Sequence, residues 1–357
     1  MNEKVIVKTE GGEIVEATAP VIISASRSTD IPAFFAKWFF NRLVKGYCIW
    51  YNPFNQQPMY ISFKNCKVIV FWTKNPKPIL PYLHELDKRG IHYYFQVTLN
   101  DYVNEGFEPN VPSVEERVNT FKKLSDMIGK EKVIWRFDPL IVTKHITPRE
   151  LLKRIWHIGN LLKGYTDKLV FSFVDVKAYR KVQNNLVKET TCFTKENVES
   201  AEMTESQRNE IIDSLIKIRE AWKSEGWNIT MATCGEEAEL EGYGIEHNRC
   251  IDGDLITKIA WKDSKLMNFM KVKINDLPTP TFFGDVTIPQ GAIILPNNKY
   301  FISAHKKDLG QRKHCECLAA KDIGEYNTCP QLCEYCYENC NKETAINKWK
   351  EHLSNPC

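Results

Sequence analysis

Six short apolar runs, spaced between amphipathic stretches, most constrain what this chain can fold into. They cover residues 21–25, 68–72, 93–98, 133–137, 169–174 and 229–233. Each is rich in β-branched and aromatic residues and nearly continuous in apolarity. That pattern suits strands covered on both faces, as in a parallel sheet. The stretches between carry helix signals. Ser113 with Glu116, Thr147 with Glu150 and Thr204 with Gln207 have capping-box spacing, and Pro148 falls at a first helical position. Gly90 and Gly226 stop the helices before the third and sixth strands. The helix predicted from about Thr204 to Glu225 carries Ile211, Ile212, Leu215, Ile216, Ile218 and Trp222 on one broad apolar face.

Strand–helix alternation of this kind predicts an α/β fold, a partial (β/α)6 TIM-like barrel. A full eight-stranded barrel and a doubly wound sheet are the competing arrangements. Residues 1–19 read as an N-terminal hairpin turning at Gly11-Gly12, and 20–260 as the partial barrel. A second hairpin, residues 48–50 with 60–63, interrupts the barrel after its first helix. Residues 261–357 form a connecting arm and a cysteine-rich C-terminal segment.

Lys and Arg number 48 against 45 Asp and Glu, a formal net charge of +3, which gives no broad nucleic-acid or membrane footprint. No stretch reaches the roughly 20 apolar residues of a membrane span. The polar N-terminus lacks the apolar core of a signal peptide. Twelve cysteines without a secretory signal point to a reducing cytoplasm and to metal or redox chemistry.

Near the C-terminus, Cys329, Cys333 and Cys336 are spaced C-x3-C-x2-C, with Tyr335 just before the last. Three thiolates in one short loop can hold three irons of a 4Fe–4S cluster and leave the fourth open to chelate a small molecule. A structural zinc site is the alternative, with Cys340 as a spare ligand. Cys315-Glu316-Cys317, together with Cys234 and Cys250, groups into a second possible site. Its content is open between an auxiliary cluster, zinc and no metal. Cys48, Cys66 and Cys192 read as core or loop residues, and Cys357 is terminal.

In parallel α/β barrels chemistry sits at the C-terminal ends of the strands. Those ends supply Arg27, Lys74, Gln96, Arg136 and Ser172 as candidates for binding a cofactor or anionic substrate, with Ser24, Asp30, Asp138 and Asp175 nearby. Arg136 lies between apolar residues on a buried strand, where an unpaired charge is costly, so it must meet a carboxylate of protein or ligand. Internal salt bridges are the alternative for Arg27, Lys74 and Arg136 alike. No dinucleotide or phosphate-binding glycine loop and no nucleophile elbow is present.

The C-x3-C-x2-C spacing with its aromatic resembles the cluster motif of radical S-adenosylmethionine (SAM) enzymes. Ser24-Ala25-Ser26-Arg27-Ser28-Thr29-Asp30-Ile31-Pro32, Phe71-Trp72-Thr73-Lys74-Asn75-Pro76 and Asp322-Ile323-Gly324-Glu325-Tyr326 resemble a family of uncharacterised bacterial proteins with such a cluster at the C-terminus. The resemblance runs from about Val21 to Cys340. It implies an enzyme that binds a 4Fe–4S cluster and SAM, acts on an unknown substrate and takes electrons from a donor such as ferredoxin or flavodoxin, without a membrane. The Gly-Gly-Glu that follows the second strand of ordinary radical SAM barrels is replaced here by Thr73-Lys74-Asn75. An electron-transfer or redox-sensing iron–sulfur protein and a zinc-stabilised barrel are the competing functions.

Overall fold

The structure, a computed structural model, describes residues 3–278, 288–339 and 341–354. Its largest element is a parallel sheet of eight strands. In chain order these are β1 (Ile22–Ala25), β2 (Val68–Thr73), β3 (His92–Thr98), β4 (Val133–Leu140), β5 (Lys168–Phe173), β6 (Thr230–Thr233), β7 (Ile245–His247) and β8 (Lys321–Asp322). Strands β1 to β7 lie side by side in sequence order, and β8 returns from the tail to pair with β1. The first six coincide within a few residues with the six apolar runs. Strands β7 and β8 are three and two residues long, too short for any periodicity to mark them. The two ends of the sheet are β7 and β8, so the hydrogen-bonded order is open.

Alternation along each strand sends its side chains to two different cores. Ile23, Phe71, Phe95, Trp135, Phe171 and Met231 face one side. There they meet helices α1 (Ala36–Lys45), α2 (Val114–Ile128), α3 (Pro148–Leu162) and α4 (Glu205–Ser224), which contribute Phe39, Phe121, Ile155 and Trp222. These four connecting helices therefore lie on one face. Ile22, Val70, Tyr94, Ile134, Val170 and Ala232 face the other side. That side is filled by chain that follows β7: Ile251, helix α5 (Gly253–Ala260), Leu266, Phe301 and Cys317.

The helix signals act as their chemistry requires. Ser113, Thr147 and Thr204 each accept from the backbone three residues on, and Gln207 completes a reciprocal box with Thr204. Glycine is needed at position 159 for space: a Cβ there would lie 2.2 Å from the Trp222 ring, which lets α3 and α4 approach closely.

The N-terminal hairpin, Glu3–Lys8 with Ile14–Ala19, does not stand alone. Ala17 and Thr18 pair in parallel with Tyr60 and Ile61 of the second hairpin, Tyr47–Tyr51 with Pro58–Ser62, making one four-stranded sheet. The connecting arm is more regular than its composition suggests: Asn275–Asp276, Ala292–Leu295 and Lys299–Ile302 form a small antiparallel sheet. Part of that arm, and the spare ligand Cys340 and terminal Cys357, lie outside the described residues. No helix among the described residues is long and apolar enough to cross a membrane.

Candidate functional site

The tail reaches the sheet through one carboxylate. Asp322, in β8, accepts from Ser24 Oγ at 2.5 Å, Ser26 Oγ at 2.8 Å, Arg27 N at 2.9 Å and Gly324 N at 2.8 Å. From there the chain crosses the C-terminal ends of the strands. Gln331 Nε2 donates to Asp30 at 3.1 Å, and Asp30 also accepts from Lys74 N at 2.9 Å. Asn110 holds Pro330 O at 2.9 Å, and Glu334 N donates to Phe107 O at 2.9 Å.

These contacts enclose a cavity of about 330 Å³, within the range of small-molecule sites. Cys329, Cys333 and Cys336 line it, with Arg27 and Asp30 after β1, Trp72 and Lys74 around the end of β2, Arg136 and Asp138 on β4, Ser172 on β5 and Cys234 after β6. Of the five strand-end candidates, Arg27, Lys74, Arg136 and Ser172 thus share one cavity with the three tail cysteines. Gln96 stands behind its wall, fully buried, where Nε2 donates to Cys250 O at 3.2 Å and Oε1 accepts from Arg136 at 3.2 Å.

Arg136 meets its carboxylate within the protein. Nε and Nη2 donate to Asp138, Nε at 3.0 Å, and Nη1 reaches Cys250 Sγ at 3.2 Å. Although burial opposes the charge, Asp138 and the neighbouring thiols raise the guanidinium well above its ordinary pKa. Ser172 Oγ donates to the same Asp138 carboxylate. Lys74 is likewise engaged, 2.8 Å from Glu108 and 2.8 Å from Tyr335 Oη. Tyr335, the aromatic inside the cysteine motif, thereby anchors the loop, and it also donates to Glu108.

Two cavity-lining cations are less committed. Arg27 donates from Nη1 to Gln311 at 3.0 Å and lies over the Trp72 ring; among the described residues it makes no ion pair. Arg312, exposed, donates to Tyr179 Oη at 2.9 Å and lies over the Tyr337 ring. Sequence reasoning passed over Arg312 because it sits in an irregular loop outside every strand end. It also passed over Glu338; this carboxyl and that of Glu236, at the end of the sixth strand, line the cavity, and burial pushes each up to about 7. Glu338 lies on the tail, so its buried surroundings are assembled only when the tail docks.

The residues present fit an iron–sulfur cluster by their donor chemistry. Three free thiols from one loop open on one cavity, beside the Lys74 ammonium. Thr29 Oγ1, Gln331 Oε1 and Asn339 Oδ1, all on cavity-lining residues, are buried without a hydrogen-bond partner among the described residues. Buried polar atoms of native proteins are paired as a rule, so these three mark a place for a polar ligand. Burial holds all three motif thiols above their ordinary range, as it does any buried thiol.

The four cysteines of the second group lie in a run of neighbours, no three of their sulfurs mutually within 4.8 Å. Cys234 Sγ lies 3.5 Å from Cys250 Sγ, Cys317 Sγ accepts from Cys250 N at 3.2 Å, and Cys315 contacts Cys317. Cys48 and Cys66 are buried members of the apolar core, their thiols pushed up to about 12.

The fold and cavity define an α/β protein whose parallel sheet carries, at the C-terminal ends of its strands, a pocket closed by a cysteine-bearing tail. The chain belongs to the family described as "Domain of unknown function (DUF1848)", whose model matches residues 22–338. No curated protein matches it.

Proposed function

We propose that the protein is a radical SAM-type enzyme built on an open partial β/α barrel, with the cluster loop supplied by its C-terminal tail. The observation that carries this reading is the sharing of one cavity by Cys329, Cys333 and Cys336 with the strand-end residues Arg27, Lys74, Arg136 and Ser172. A loop serving only electron transfer has no need of a ligand-sized pocket lined by its own thiols. The single face occupied by the connecting helices also supports a barrel-like curvature over a flat sheet.

Bound by Cys329, Cys333 and Cys336, a 4Fe–4S cluster would supply the electron that cleaves a sulfonium C–S bond of SAM, giving methionine and an adenosyl radical that abstracts substrate hydrogen. The electron comes from an external donor such as ferredoxin or flavodoxin. The chain's own residues do the rest. Arg27 and Arg312 are the cations available to a SAM carboxylate or an anionic substrate. Trp72, Tyr179 and Tyr337 offer flat faces for a base or other planar group. Lys74 and Glu108 fix Tyr335 and hence the loop. Asp30 and Gln331 close the side nearest β1, limiting water access to a reactive site. The nearly balanced charge supports an enzyme of the cytoplasm working without a membrane.

The test is anaerobic reconstitution with iron and sulfide, reduction and addition of SAM. Formation of 5′-deoxyadenosine that is lost in C329A/C333A/C336A supports the reading. A fully reduced cluster that never cleaves SAM moves the function to electron transfer or redox sensing, and zinc in place of iron moves it to a zinc-stabilised protein.

A further inference from the structure

We propose that Cys234, Cys250, Cys315 and Cys317 form a second metal centre, an iron–sulfur cluster, set into the inner face of the sheet and reaching the wall of the cavity at Cys234. The site is independent of SAM cleavage and goes beyond the function proposed above.

The four sulfurs come from two distant stretches. Cys234 follows β6 and Cys250 follows β7, while Cys315 and Cys317 arrive with the tail. They form a run of neighbours, Cys234 to Cys250 to Cys317 to Cys315. Cys250 and Cys317 are buried in the core on the inner face of the sheet, against which Cys234 and Cys315 pack, and Cys234 also lines the cavity.

Buried thiols that serve only as small apolar residues need no donors around them. These have four. Cys250 Sγ accepts from Arg136 Nη1 at 3.2 Å and Asn248 Nδ2 at 3.3 Å. Cys317 Sγ accepts from Cys250 N at 3.2 Å and Ile251 N at 3.4 Å. A neutral thiol is a weak acceptor, whereas metal-bound thiolates characteristically gather such N–H bonds, which tune the centre. Arg136 brings a full positive charge to the same spot. Backbone also pins the tail segment here: Leu318 N donates to Ile251 O at 3.0 Å and Asp308 N to Cys317 O at 2.8 Å.

Four thiolates are enough to ligate a cluster fully, and a single zinc ion held by the same four is the outcome that metal analysis must exclude.

The experiment compares full-length wild type with C329A/C333A/C336A and C315A/C317A, all purified and reconstituted without oxygen. Wild type should hold about eight irons, with matching sulfide, and each variant about four. Each variant should keep a reducible visible chromophore. In unmutated protein, half-buried Cys315 should resist maleimide until a chelator strips the iron, a readout that needs no variant. The proposal is overturned if C329A/C333A/C336A holds no iron or takes up stoichiometric zinc. It is equally overturned if C315A/C317A keeps all the wild-type iron, or if Cys315 labels equally fast before and after stripping. If SAM is never cleaved but C329A/C333A/C336A keeps its iron, the second centre stands and the proposed function falls.

Discussion

Ser24 and Asp322 lie 298 residues apart in sequence and are joined by a 2.5 Å hydrogen bond. The same carboxylate takes Ser26 Oγ and the backbone N–H groups of Arg27 and Gly324. One half-buried acceptor thus organises both the loop after β1 and the return of the tail. Hydrogen bonds to a charged group are worth about 1.5–3 kcal/mol each, and donors left unpaired add to the loss. Asp322→Ala should therefore cost about 3–5 kcal/mol in a denaturant titration and expose the tail to protease in the native state. An unchanged midpoint with a protected tail would show that the cysteines or the C-terminal helix dock the tail unaided.

Gly324 permits that docking by its missing side chain. A Cβ there would sit 1.7 Å from Ser26 Oγ and 2.6 Å from Ser26 Cβ. The clash is purely steric, so it is open to rescue. Gly324→Ala should lose about 2–3 kcal/mol, and Ser26→Gly in the same chain should recover a good part of it. A double-mutant cycle checks this. If the two losses simply add, the tail has another way past Ser26.

The six main strands were legible because each is long enough, and buried on both faces, to leave an apolar run. The helices between them were legible from caps whose side chains act within three or four residues. Strand β8 was not, since two residues carry no period and their partner lies near the other end of the chain. The site divides along the same line. Cys329, Cys333, Cys336 and the four other cysteines stood out by spacing or by residue type. The cost of a buried charge called for a carboxylate beside Arg136 but did not choose Asp138 over Asp30 or a ligand. What could not be read was which cations remain uncommitted. Lys74 is claimed by Glu108, which lies in a loop with no local signature, while Arg312 enters the cavity only because the tail folds back.

That difference in commitment predicts two kinds of arginine variant. Arg27→Ala and Arg312→Ala remove guanidiniums that make no ion pair among the described residues, so the fold should hold within about 1 kcal/mol. SAM binding, measured by equilibrium dialysis on reconstituted anaerobic protein, should weaken about tenfold in at least one of them. Arg136→Met strands Asp138 in the interior and should cost about 3–5 kcal/mol of stability. The assignment fails if the first two bind SAM like wild type, or if Arg136→Met is as stable as its parent.

Lys321, next to Asp322, offers a test of burial against charge. Its ammonium lies 3.1 Å from the centroid of the Trp50 ring, and burial lowers its pKa from 10.5 to about 8. Between those values the unfolded chain holds a proton that the folded chain has released. Stability from this group therefore rises as pH climbs from about 8 to about 10.5, and below about 8 the charged lysine is a net penalty. Lys321→Met removes the penalty. A tenfold change in proton affinity is worth about 1.4 kcal/mol, and the lysine's partial exposure to solvent discounts the sum. At pH 7 the variant should therefore be more stable than wild type by about 1–2 kcal/mol. The gap should close as pH rises through that window, because other groups titrating there are common to both chains. Contact with the Trp50 face works the other way, favouring the charged form. If the two chains keep a constant difference from pH 7 to 10.5, that contact cancels the burial and Lys321 is an ordinary lysine.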